Sequence, residues 1–133
     1  MGFKNLMICK AAVCLGFGPL LLFLPGPLLG LLGAPFDAGA ALTAREYGAA
    51  LIGNLMLTWF ARNAGESAAR RAIILHLFVY DAIACAATLT IQLTGGLGPL
   101  GWGIIAVYLF FAAGFGRLLF AGAGASPKQP EAA

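Results

Sequence analysis

The sequence predicts an all-α protein, a four-helix transmembrane bundle of up-down-up-down topology with both termini in the cytoplasm. Of its 133 residues, 61% are hydrophobic and 10% are charged, and the mean hydropathy is +0.92. A soluble globular chain has about 25% charged residues, so this chain lacks the polar surface needed to cover itself in water. Four apolar segments separated by short connections favour consecutive antiparallel helices in one domain over residues 1–121.

The first helix is predicted over residues 5–24. Its basic start and apolar run resemble a signal peptide, but the run continues to about Phe36, which is long for a cleaved segment. We therefore expect a retained helix, while cleavage near residues 38–40 stays open as an alternative. Lys10 lies about one turn inside the helix, and we expect its side chain to extend to the cytoplasmic headgroups.

A Pro- and Gly-rich connection follows, with a short interfacial helix predicted over residues 27–33. The second long helix is predicted over residues 45–62. Thr43 followed by Glu46 has the spacing of a capping box and indicates that this helix begins there. Small residues on the long helices predict packing faces, since they let membrane helices approach closely; the pairs are Ala12/Gly16, Ala49/Gly53 and Ala112/Gly116.

The third helix, residues 71–94, carries polar groups within an apolar segment. Its length covers roughly 30 Å at 1.5 Å per residue, enough to cross a bilayer. At about 100° per residue, one stripe of the helix is polar; it contains Asp81, Cys85, Thr88 and Gln92. Exposing this stripe to lipid tails is costly, so we expect it to face other helices or a wet cavity.

The fourth helix is predicted over residues 101–121, and residues 122–133 are predicted to form a disordered cytoplasmic tail. Orientation follows from the basic residues, which the up-down pattern places mostly on one side of the membrane. By the positive-inside rule that side is the cytoplasm. The residues on it are Lys4, Lys10, Arg62, Arg70, Arg71, Arg117 and Lys128.

Five short motifs occur in order along the chain: residues 45–49 (REYGA), 59–62 (WFAR), 69–73 (ARRAI), 101–102 (GW) and 111–115 (FAAGF). This pattern, over roughly residues 25–120, resembles a group of small prokaryotic four-helix integral membrane proteins whose function is not established. The resemblance implies the same architecture and residence in a prokaryotic cytoplasmic (inner) membrane. It implies no catalytic residue. It also implies an amide near position 81, from which Asp81 departs.

Several classes of chemistry lack support in the sequence. The net charge of +3 comes from residues at helix ends and does not indicate nucleic-acid binding. The three cysteines lie in apolar sequence without a CxxC motif, so we interpret them as small buried residues. No cofactor motif occurs, and His76 has no His or Cys three or four residues further on, so no metal site is expected.

Asp81 and Asn54 both lie near mid-membrane, where an ionisable side chain suggests a functional site. Asp81 is interpreted in three ways that stay open: a packing residue that is protonated or bonded to Asn54, Tyr108 or a threonine, a ligand or proton site, or a contact with a partner. Arg117 either reaches toward Asp81 or extends to lipid phosphate. The candidate ligand-binding residues are Asp81, Asn54, Thr88, Tyr108, Gln92, Arg117 and His76.

Three functions follow as hypotheses. The first is a non-enzymatic accessory protein that packs with a larger membrane complex or with itself. The second is a binder or carrier of a lipid-like or other hydrophobic small molecule, and it requires a cavity next to Asp81. A proton-coupled exporter is a variant of this hypothesis. Small four-helix exporters normally have the membrane acid in the first helix, however, where this chain has Lys10. The third is a membrane enzyme, for which only Asp81, His76, Arg117 and Tyr108 are available.

Overall fold

The computed structural model of the protein describes residues 1–121, which contain α-helices and no strand. The predicted tail, residues 122–133, lies outside the described residues. Three of the helices, the first, fourth and fifth, are long and apolar enough to cross a membrane. The helices are α1 (Phe3–Phe23), α2 (Pro25–Leu31), α3 (Ala38–Ala61), α4 (Ala68–Leu93) and α5 (Gly101–Ala121).

The outer surface of the helices is apolar. Phe60, Phe23 and Leu93 are 77%, 73% and 70% exposed, and many other large hydrophobic side chains also point outward. In water such a continuous apolar surface would drive aggregation. In a bilayer the same side chains contact lipid tails. The protein is therefore a membrane protein.

Helix α3 begins earlier than the sequence indicated, at Ala38 rather than Arg45. The side chain of Asp37 caps it by accepting a hydrogen bond of 2.7 Å from the backbone N–H of Ala40. The predicted capping box is wrong, because Thr43 lies inside the helix and donates its hydroxyl to the carbonyl oxygen of Gly39 at 3.0 Å. Although α3 has 24 residues, it is not one of the three helices apolar enough by composition to be a candidate span.

Helix α2 follows α1 directly, and its first residue is Pro25. Proline is favoured at a helix start because that position needs no N–H donor and the ring presets φ. The turn after α2 contains Gly33, whose φ of +71° is one that L side chains rarely adopt. The backbone N–H of Gly98 donates to the carbonyl oxygen of Leu32 at 2.7 Å and joins this turn to the α4–α5 connection.

The long helices pack as two pairs, α1 with α3 and α4 with α5, and a smaller contact joins α1 to α5. Within the first pair the backbones are close: a Cβ built on Gly48 would lie 2.7 Å from the carbonyl oxygen of Gly18. The predicted faces at Gly16 and Gly53 do not form this contact, since a Cβ at either position would meet no atom within 4 Å. The tight approach lies on a different face of each helix, because Gly18 is two residues beyond Gly16 and Gly48 is five residues before Gly53.

Two apolar clusters hold the bundle together. The first joins the two pairs near the start of α1 and the end of α5; it contains Phe3, Leu6, Met7, Ile74, Leu77, Phe111 and Phe115. The second lies between α1 and α3; it contains Cys14, Leu21, Ala44 and Leu51. The guanidinium of Arg70 lies 4.2 Å from the centre of the Phe3 ring, so α1 and α4 begin at the same end of the molecule.

Candidate functional site

A buried ion pair joins the two helix pairs. Lys10 of α1 and Asp81 of α4 are 2% and 0% exposed, and the Lys10 Nζ contacts Asp81 Oδ1. The prediction that Lys10 extends to the headgroups is therefore wrong. Lys10 lies on the face of α1 that points into the bundle, where Asp81 balances the charge that lipid phosphate would have balanced at the surface.

Aromatic rings surround the Lys10 ammonium. Its Nζ lies 4.6 Å from the centre of the Phe111 ring, 5.2 Å from that of Tyr80 and 6.0 Å from that of Tyr108. The negative face of an aromatic ring attracts a cation, and the attraction is stronger where water is excluded. The rings therefore stabilise a charge that α1 carries into an apolar region.

Three tyrosine hydroxyls form a chain beside the ion pair. The Tyr80 hydroxyl donates to the Tyr47 oxygen at 2.7 Å, and the Tyr47 and Tyr108 hydroxyls are hydrogen-bonded to each other. Tyr47 belongs to α3, Tyr80 to α4 and Tyr108 to α5. We call Lys10, Asp81, Tyr47, Tyr80 and Tyr108 the seam cluster, because these residues come from all four long helices and bridge the two pairs.

A cavity of about 810 Å³ lies next to the seam cluster, between the second half of α1, helix α2, the first half of α3, the end of α4 and the start of α5. Its walls are almost entirely apolar and include Phe17, Leu29, Leu51 and Ile104. The polar residues along it are few: Lys10, Cys14, Thr43, Tyr47, Thr88 and Tyr108. The cavity is thus a large apolar space with a small polar region supplied by three members of the seam cluster.

Among the predicted site residues, Asp81, Tyr108 and Thr88 lie in or beside this site. Asp81 bonds to Lys10, not to Asn54, Tyr108 or a threonine as the packing interpretation expected. Its second oxygen, Oδ2, is buried without a hydrogen-bond partner in the described part of the chain. Thr88 lines the cavity and donates its hydroxyl to the carbonyl oxygen of Ala84 at 2.8 Å.

The other predicted residues lie elsewhere. Asn54 is buried in α3, where its backbone carbonyl accepts the Thr58 hydroxyl at 2.7 Å. The Gln92 amide donates to the carbonyl oxygens of Leu97 and Gly98 at 3.4 Å each, so this side chain closes the α4–α5 turn. Two further residues, Arg117 and His76, are exposed on the outside of the bundle.

Three residues of the seam cluster were not predicted as site residues: Lys10, Tyr47 and Tyr80. A signal for the ion pair was present, because an acid and a base within apolar helices of one membrane protein tend to pair with each other. No comparable signal marked the tyrosines, since tyrosine is common at membrane interfaces and Tyr47 suggests such a position from sequence alone.

Residues 1–121 contain no group of three or more His, Cys, Asp or Glu side chains arranged to hold a metal ion. Comparison of the chain with models of protein families, with curated proteins and with solved structures found no match. Function is therefore inferred from the geometry of the seam cluster and the cavity.

Proposed function

We propose that the protein is a non-enzymatic membrane protein that binds or carries a lipid-like amphiphile inside the bundle. The observation behind this proposal is the cavity of about 810 Å³ next to the seam cluster. Small-molecule sites typically occupy roughly 300–1,000 Å³ and combine apolar walls with a few polar groups. The cavity has that size and composition. Asp81 itself does not line the cavity, but Lys10, to which it is paired, does.

The apolar part of the occupant would lie along the leucine-rich walls. Helix α2 contributes Leu28, Leu29 and Leu31 to the cavity, and the turn after it contributes Leu32. A hydrocarbon chain gains about 25 cal/mol per Å² of apolar surface removed from water, but little of this is available when the chain comes from lipid. Selection of one amphiphile over bulk lipid therefore depends on the polar region formed by Lys10, Tyr47 and Tyr108.

We further propose that all four long helices cross a prokaryotic cytoplasmic membrane, with both termini on the cytoplasmic side. Two observations support this topology. The contact between Arg70 and Phe3 lies where α1 and α4 begin, which requires α3 to return across the thickness of the bundle. That end also carries Lys4, Arg62 and Arg71, as the positive-inside rule requires of a cytoplasmic face.

The cavity can be tested with a matched pair of leucine substitutions. Gly103 lines the cavity and a Cβ added there would meet no atom within 4 Å, so a side chain can begin there and we expect Gly103→Leu to narrow the cavity. Gly53 is also helical and open, but it lies outside the cavity, so Gly53→Leu is the control. Wild type and both variants are released from membranes in mild detergent and weighed by native mass spectrometry.

We expect wild type and Gly53→Leu to retain a small molecule and Gly103→Leu to lose most of it. Equal retention by the two variants would place the small molecule outside the cavity and contradict the proposal. A clean oligomer or a co-purifying protein, with no small molecule in any sample, would instead favour the accessory-subunit hypothesis.

A further inference from the structure

The tyrosine chain leaves one hydroxyl donor for an occupant of the cavity. Three O–H groups make two hydrogen bonds among themselves, and residues 1–121 provide no third acceptor, so one O–H is left over among the described residues. The Tyr80 hydroxyl donates its hydrogen bond to the Tyr47 oxygen. If Tyr47 then donates to Tyr108, the remaining proton is on Tyr108; if Tyr108 donates, it is on Tyr47. Both Tyr47 and Tyr108 line the cavity, so the remaining donor borders the cavity in either case.

Lys10 adds further donors at the same end. An ammonium carries three N–H groups, and the one hydrogen-bond acceptor of Lys10 within residues 1–121 is Asp81. The two threonines along the cavity add none, because Thr43 donates to Gly39 and Thr88 donates to Ala84. The polar region of the cavity thus offers donors, and the complementary head group is a hydrogen-bond acceptor.

Charge decides between neutral and anionic acceptors. The Lys10 ammonium and the Asp81 carboxylate together carry no net charge. A carboxylate or phosphate head would bring a negative charge that nothing in the surrounding apolar walls compensates, and burying an uncompensated charge is unfavourable. An ammonium head would face donors and another cation. A neutral acceptor avoids both costs.

We propose that the cavity selects neutral amphiphiles whose head carries a carbonyl oxygen, such as an ester or a quinone. The carbonyl accepts hydrogen bonds from the Lys10 ammonium and from the remaining tyrosine hydroxyl, while the tail lies along the leucines of α2. This inference rests on the proposed function and adds the class of ligand.

The first test uses probes with one tail and different heads. Methyl oleate is neutral with a carbonyl, oleate is an anion and oleylamine is a cation. Each is added at equal concentration to the delipidated protein in detergent, and the bound fraction is measured by native mass spectrometry. Among these probes we expect methyl oleate to be retained most strongly. Decylubiquinone and decyl acetate, which share a decyl tail, are then compared to show whether a quinone or an ester is the better source of the carbonyl.

The second test removes the hydroxyls that border the cavity. Either single phenylalanine substitution leaves one cavity-facing O–H, so the variant is the double one, Tyr47→Phe with Tyr108→Phe. Thr90→Val removes a hydroxyl from the exposed side of α4, away from the cavity and the seam cluster, and is the control. Loss of one hydrogen bond predicts roughly five- to tenfold weaker retention of methyl oleate by the double variant and little change in the control.

The outcomes separate the two proposals. Stronger retention of oleate or oleylamine than of methyl oleate would overturn the inference and leave the proposed function standing. Unchanged preference for methyl oleate in a folded double variant would overturn the role of the hydroxyls. If no probe binds wild type above the level of Gly103→Leu, the proposed function itself fails. The probe series on wild type needs no variant, so the inference stays testable if the double variant does not fold.

Discussion

At the scale of single residues, the central feature is a lysine and an aspartate that are each excluded from solvent. Lys10 and Asp81 are 71 residues apart in the chain and meet inside the bundle. Each charge alone would be costly in this position, and together they cancel. The aromatic rings around Nζ and the tyrosine chain beside it keep the pair in a polar region within otherwise apolar helices.

Removing Lys10 alone is expected to destabilise the protein strongly. Lys10→Met leaves the Asp81 carboxylate buried without its partner, at a cost of about 3–5 kcal/mol of unfolding free energy. The double variant Lys10→Met with Asp81→Leu removes both charges and should recover most of that loss. Unfolding in detergent, followed by circular dichroism, measures both values.

Lys4→Met is the control, since Lys4 is exposed near the start of the same helix. It should change the unfolding free energy by less than about 0.5 kcal/mol. Equal losses in the single and double variants would show that Lys10 contributes by packing and that its pairing with Asp81 does not matter.

At the scale of elements, the starts and contacts of the helices depend on a few small or capping residues. Asp37 caps α3, Ser67 caps α4 by accepting from the N–H of Arg70 at 3.1 Å, and Gly48 sets the distance between α1 and α3. None of these three residues was predicted in its role. The capping-box spacing indicated Thr43 as the start of α3, the small-residue pattern indicated Gly53 as its packing position, and no pattern indicated Ser67.

The start of α3 distinguishes two capping residues. Asp37→Ala removes the acceptor for Ala40 and should cost about 1 kcal/mol, because a backbone N–H loses its partner. Thr43→Ala should be close to neutral, since Thr43 lies within the helix. A larger effect at Thr43 than at Asp37 in the detergent unfolding assay would restore the capping box and place the helix start near Arg45.

The contact between α1 and α3 predicts opposite effects of the same substitution at two glycines. Gly48→Ala places a methyl group 2.7 Å from the Gly18 carbonyl oxygen and should destabilise the protein by about 1–3 kcal/mol. Gly53→Ala has open space and should be neutral or stabilising by up to about 1 kcal/mol, because alanine favours helix. Similar effects at both positions would mean that the two helices do not pack through Gly48.

At the scale of the whole molecule, two helix pairs meet tightly at one end and diverge around the cavity toward the other. The apolar cluster around Phe111 and Phe115 closes the first end, and the seam cluster follows it. Beyond the seam cluster the pairs are bridged by α2 and by the hydrogen bond from Gly98 to Leu32. This arrangement places a polar region at the inner end of an apolar cavity, as an amphiphile requires.

Topology can be tested by labelling cysteines with a membrane-impermeant maleimide in sealed vesicles. Lys4→Cys, Glu66→Cys and Thr94→Cys are introduced singly at exposed positions, with the native cysteines replaced by alanine. If α3 crosses the membrane, positions 4 and 66 should react from one side and position 94 from the other. Reaction of positions 4 and 94 from the same side would mean that α3 does not cross, in line with its less apolar composition.

Much of the fold was predictable because it depends on local composition. The positions of α1, α4 and α5 follow from runs of apolar residues, which are recognisable without knowing their neighbours. The start of α3 was not predictable in this way, because Asp37 and Thr43 are both acceptable capping residues. Only the path of the chain after α2 decides between them. Of the candidate site, Asp81, Tyr108 and Thr88 were identified, while His76 and Arg117 lie outside.

The sequence by itself determined that this is a helical membrane protein, since hydropathy adds up along each segment whatever the segment packs against. It also singled out Asp81, because an acid within an apolar helix is costly in any packing. Only the tertiary structure decided that Asp81 pairs with Lys10, that three tyrosines join beside them and that a cavity lies next to them. These features depend on how the helix pairs are rotated and spaced, and rotation and spacing come from contacts between residues far apart in the chain.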